Sequence, residues 1–69
     1  MTFRLTIDTD TAAFTGDAYG ASPAGERNAE TARILREVAD RLDAGDDFTK
    51  YRTLFDLNGN DVGRAAFKP

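Results

Sequence analysis

The stretch SPAGERNAETARILREVADRLDAG, residues 22–45, decides the fold. Ser22 can cap the first free N–H groups of a helix, and Pro23 suits its first position. Ala32, Leu35, Val38, Ala39 and Leu42 then recur at spacings of three and four, with Ile34 beside the stripe. Glu26, Arg27, Glu30, Arg33, Glu37, Asp40 and Arg41 occupy the other face. Arg33/Glu37, Arg36/Asp40 and Glu37/Arg41 lie four apart, and such pairs contribute about 0.2–0.5 kcal/mol each. Gly45 is a natural C-terminal cap. Gly25 leaves two starts open, one at Pro23 and one nearer Asn28. A helix of about 20 residues is about 30 Å long, whereas a strand of about six residues spans about 20 Å. The helix is therefore expected to overhang its sheet, with the N-terminal turns projecting.

Upstream, residues 2–8 alternate. Phe3, Leu5 and Ile7 point one way; Thr2, Arg4, Thr6 and Asp8 point the other, which reads as a half-buried strand. Residues 9–22 are rich in Thr, Asp, Gly and Ser and read as a loop, with Phe14 folding back onto the edge of the core.

Downstream, residues 46–50 form a polar connection with one aromatic, Phe48, and a hairpin follows. Asp56-Leu57-Asn58-Gly59 has the residues of a type I turn closed by a left-handed glycine. In that register Leu54 faces Val62, and a bulge at Gly63 moves Ala65 and Phe67 onto the core side. A two-residue Asn58-Gly59 turn would instead set Phe55 against Val62. Both registers stay open at this stage. The expected architecture is α+β, in the order βαββ: one long helix packed on a three-stranded, mostly antiparallel sheet, in a single domain spanning residues 1–69. The expected core is Phe3, Leu5, Ile7, Phe14, Leu35, Val38, Leu42, Leu54, Val62 and Phe67.

Composition narrows the chemistry. The 69 residues include neither cysteine nor histidine, so no thiol can serve as nucleophile or zinc ligand, and the commonest general base and metal ligand is missing. Nine basic and twelve acidic residues leave a net charge of −3, which argues against nucleic acid as a direct partner. Tyr51 and Phe55 with Arg52 and Arg64 imitate an RNA-binding sheet, but one face of that sheet is needed for the core. Asp56, Asn58 and Asn60 alternate like the start of a calcium loop, yet the sixth and twelfth positions are Asp61 and Phe67 rather than Gly and Glu. Asp8, Asp10 and Asp17 could pair as acid and base only inside a pocket, for which so short a chain has little room. No phosphate-binding glycine motif occurs. The expectation is a chain that is not an enzyme, takes no cofactor and no metal, and carries neither a signal peptide nor a membrane span. It should remain in the cytoplasm in which it is made.

What remains is binding. Asp10, Phe14, Asp17 and Tyr19 in the 9–22 loop would suit a basic partner surface, Tyr offering much contact area at little entropic cost.

The segments FRLTIDTDTAAF (3–14), ETARILREVADRLDAG (30–45) and DLNGNDVGRAAF (56–67) cover more than half of the chain. They resemble small orphan proteins carried by phages, prophages and other mobile elements of high-GC bacteria, ARILREVADRL followed by NGNDVG being the most specific part. The resemblance implies an inhibitor of a host defence system, of which anti-CRISPR proteins are the type. Such an inhibitor would block a protein or ribonucleoprotein effector sterically and electrostatically. Asp8, Asp10, Asp17, Glu30 and Glu37 would meet its basic residues, and Tyr19 would be the anchor. The alternative is a self-associating structural or regulatory module that forms a homodimer through an open strand edge.

Overall fold

The computed structural model describes residues 1–15 and 23–69. Strand β1 (Thr2–Ile7) leads into a helical turn, α1 (Ala12–Thr15), then the long helix α2 (Pro23–Asp43), and the hairpin β2 (Arg52–Phe55) and β3 (Asp61–Lys68). The sheet order is β1-β3-β2 and both pairings are antiparallel. The chain is thus α+β with one main helix and a three-stranded sheet, as the periodicities require. Placing the last strand centrally lets β1 pair along its whole length, from Thr2 opposite Lys68 to Ile7 opposite Gly63.

Helix α2 begins at Pro23, and its residues 25–29 are all exposed. It ends in a Schellman pairing: the Gly45 N–H donates to the Leu42 carbonyl and the Asp46 N–H to the Arg41 carbonyl. Its buried side keeps Val38 and Leu42 of the expected stripe but exchanges Leu35 for Ile34. Ile34 and Val38 are buried and Leu42 packs against them, whereas Leu35 is 47% exposed. Residues 30, 34 and 38 form one row along the helix, and Leu35 lies about 100° round from Ile34.

The hairpin takes the type I turn. The Gly59 N–H donates to the Asp56 carbonyl, the Asp56 N–H donates to the Asn60 carbonyl, and Gly59 holds φ 82°. The bulge lies one step earlier than its glycine suggested. Leu54 pairs with Gly63 and Phe55 with Asp61, so Val62 is the extra residue: Phe55 keeps the partner that the type I register gives it, whereas Leu54 faces Gly63 instead of Val62.

The core cluster is Phe14, Ile34, Val38, Phe48, Leu54, Val62 and Ala65, with Phe3, Leu5, Ile7, Leu42 and Phe67 packed against it. Phe48 belongs to it fully. Its ring meets Phe3 edge-on at 5.9 Å, and the Arg41 guanidinium lies 5.2 Å from its centroid. Its carbonyl also accepts the N–H of Phe67, which locks the connection onto the middle strand. Phe14 is fully buried as a member of the cluster. No helix among the described residues is long and apolar enough to cross a membrane.

Candidate functional site: the uncovered face of the sheet

Two buried carboxylates hold the hairpin against the rest of the molecule. Asp56 Oδ1 accepts the N–H groups of Asn58 and Asn60 at 2.8 and 2.9 Å. Its Oδ2 accepts the Asn60 amide at 3.0 Å and the Thr11 hydroxyl at 2.7 Å. Burial alone would push this carboxyl up, but the bonds from Thr11, Asn60 and Asn58 outweigh it and bring it from 3.8 down to about 2. The residues that imitate a calcium loop are therefore the parts of a self-satisfied turn.

Glu30 is the second. It is 4% exposed, and Oε2 accepts the Leu57 N–H at 2.8 Å. Arg33 forks onto both its oxygens, and its remaining N–H groups reach Glu37 at 3.2 Å and the Phe55 carbonyl at 3.1 Å. A buried charge is tolerable only when so partnered. Of the three ion pairs expected along the helix, Arg33–Glu37 forms; Arg41 turns instead to Asp46, 3.0 Å away.

The described acids expected to meet a partner are carried by different elements. Asp8 is exposed at the end of β1, its Oδ1 accepting the Asp10 N–H, and Asp10 is exposed beside it. Glu37 is exposed on the helix and tied to Arg33. Glu30 offers no surface at all, which removes it from that set. Asp17 and Tyr19 lie outside the described residues. Among the described residues no cluster of three acidic side chains is placed to hold a metal ion.

A different surface is better organised. The helix covers one side of the sheet, and strand alternation sends the other residues outward. Arg4 stands opposite the nearly buried Ala66 in the register, with Arg64 and Lys68 two residues to either side along β3. Tyr51, 60% exposed, leans across from the start of β2, its ring centroid 5.3 Å from the Arg64 guanidinium. Together Arg4, Tyr51, Arg64, Ala66 and Lys68 line a shallow depression with Ala66 in its floor. Phe55, half exposed, continues the aromatic side toward the turn, where Asp8 and Asp61 mark the acidic end of the face. None of the three cations is in an ion pair among the described residues.

The missed signal was present in the sequence. Arg4, Thr6, Arg64, Ala66 and Lys68 sit at outward positions of two strands that the sequence marks, but their juxtaposition needs the strand order, and the net charge hides it.

Asp56 yields a pH prediction. Its carboxyl is more acidic folded than unfolded, so its contribution is complete above pH 3.8 and fades as pH falls through about 2. In urea titrations, the advantage of the wild type over Asp56→Asn should be largest near neutrality and shrink steadily on acidification below pH 3.8. An advantage that is constant with pH would show that the charge of Asp56 carries none of it.

No family model matches this chain, and neither a curated protein nor a solved structure matches it.

Proposed function

We propose that this chain is a non-enzymatic, protein-binding module and that its working surface is the uncovered face of the sheet. The observation that carries the reading is the cluster of Tyr51, Arg64, Arg4 and Lys68 around Ala66. Tyr and Arg are the residue types that most often dominate binding energy at protein interfaces. The guanidinium of Arg64 lies against the Tyr51 ring, so both are held in place before a partner arrives, and less side-chain freedom is lost on binding. Three cations without ion pairs on an otherwise acidic chain suit an acidic patch on the partner.

A single nucleic acid strand is the competing occupant. It fits less well: one side of the Tyr51 ring is already taken by Arg64, and Asp8 and Asp61 close one end of the face to phosphates. The role of such a module, drawn from the resemblance to mobile-element proteins, is inhibition of a host defence complex by covering part of it. In this reading the contact lies on the basic sheet face rather than on the acids of the 8–17 segment.

The test is capture from a lysate containing active CRISPR effectors, with the wild type and Tyr51→Ala/Arg64→Glu as paired baits. Both residues are exposed, so the variant should keep its fold within about 0.5 kcal/mol per substitution. Stoichiometric recovery of an effector by the wild type, lost in the variant, is the expected result. Equal recovery by both baits would overturn the assignment of the face. Recovery that disappears on nuclease treatment, with direct binding to a labelled single strand, would replace the protein partner with nucleic acid.

A further inference from the structure

We infer that β1 is a self-complementary edge through which two copies of this chain pair antiparallel, in the register that sets Arg4 of each copy opposite Asp8 of the other. The pairing shares Arg4 with the proposed binding face but does not depend on that face having a partner.

The sheet has two edges, and they differ. Strand β2 is four residues long, and the outward carbonyl of Phe55 is already occupied by Arg33. Strand β1 is six residues long and contains neither proline nor bulge. The Asp8 N–H donates to the Val62 carbonyl, so the even-numbered residues of β1 turn their backbone groups toward β3. By alternation, the N–H and C=O groups of Phe3, Leu5 and Ile7 point off the edge. Among the described residues nothing hydrogen-bonds to them. A regular strand with such an edge is a template for another strand, unless a charge or a kink spoils it.

Here the charges select a partner instead of repelling one. The outward-pointing groups belong to odd residues, so odd must pair with odd and even with even. Centring the two-fold axis on Arg4 puts the two Arg4 side chains face to face. Centring it on Leu5 sets Arg4 against Thr6 and forms no ion pair. Centring it on Thr6 places Arg4 opposite Asp8 twice, and Leu5 opposite Ile7 twice. Those Arg4–Asp8 pairs fall at non-hydrogen-bonded sites, where opposite side chains approach most closely. Asp8 spends Oδ1 on the Asp10 N–H, which leaves Oδ2 for the incoming guanidinium. On the helix side, the half-buried Leu5 and Ile7 would complete their burial against each other. The product is a six-stranded sheet in the order β2-β3-β1-β1-β3-β2, an isologous dimer.

Sedimentation equilibrium over a concentration series reads the mass directly. The wild type should rise from one chain to twice that mass. Arg4→Asp and Asp8→Arg should each stay at one chain, and Arg4→Asp/Asp8→Arg should double again. A wild type that keeps the mass of one chain at every concentration overturns the proposal. So does dimerisation that survives either single change undiminished, because the register would then be another one. Asp8→Arg also removes the local bond to Asp10, so a readout without mutation runs beside it. Amide exchange of Leu5 and Ile7 in the wild type should slow with concentration, while that of the β3 amides does not. Exchange of Leu5 and Ile7 that is independent of concentration excludes this edge.

Discussion

Gly63→Ala is expected to be the most damaging conservative change in the chain. A Cβ at this position would sit 1.8 Å from the Thr6 carbonyl oxygen and 2.8 Å from the carbonyl carbon. Both are backbone atoms of β1, so no side-chain rotation relieves the clash. Gly63 lies in the central strand, paired with Ile7 on one side and Leu54 on the other, next to the bulge at Val62. β1 can retreat only by giving up its ladder to β3. Overpacking of this kind costs up to about 3 kcal/mol and occasionally more. A chain of this length holds a total of roughly 3–10 kcal/mol. Urea unfolding should show the midpoint collapse, with Gly63→Ala largely unfolded at low denaturant. A midpoint close to that of the wild type would mean that β1 does not approach β3 as described.

Phe48→Ala should be at least as costly, at about 3–5 kcal/mol, the usual cost of emptying a buried aromatic site. The side chain is 1% exposed and seals the open end between helix and sheet, against Phe3 and under Arg41. Tyr51 makes a good internal control, because it is an aromatic three residues away in the same connection. Tyr51→Ala should change stability by no more than about 0.5 kcal/mol. Comparable losses for both would contradict the division of this segment into a core anchor and a surface residue.

These two positions also show where the sequence was legible. Strand β1, helix α2 and the turn at Asp56–Gly59 follow from periodicity and turn chemistry, because each depends on neighbours in the chain. Phe48 carries no such signal. It stands in a polar connection without a period, and only the fold brings it to Phe3 and Phe67. The rotation of the helix was similarly beyond local reading. Ile34 and Leu35 are both apolar, and what chooses between them is the hairpin, whose Leu57 N–H and Phe55 carbonyl draw Glu30 and Arg33 to its side. A glutamate on a helix ordinarily reads as solvent-facing, so its burial is visible only when the hairpin is in place.

The candidate site divides in the same way. The acids at 8, 10 and 37 are exposed, the first two side by side after β1 and the third on the helix. The basic face is gathered by strand order alone: inserting β3 between β1 and β2 brings Arg4, Arg64 and Tyr51 together from positions far apart in sequence. An overall charge of −3 averages over both sides of the sheet and so gives no hint of it.

The most direct test of the account sets the two surfaces against each other in one capture experiment. Tyr51→Ala/Arg64→Glu disables the sheet face, and Asp10→Asn/Glu37→Gln removes acids without touching it. With folding of both confirmed by urea titration, the sheet-face variant is expected to lose the partner that the wild type recovers, and the acid variant to keep it. Loss in the acid variant with retention in the sheet-face variant would contradict the account and return the interface to the acids at 10 and 37.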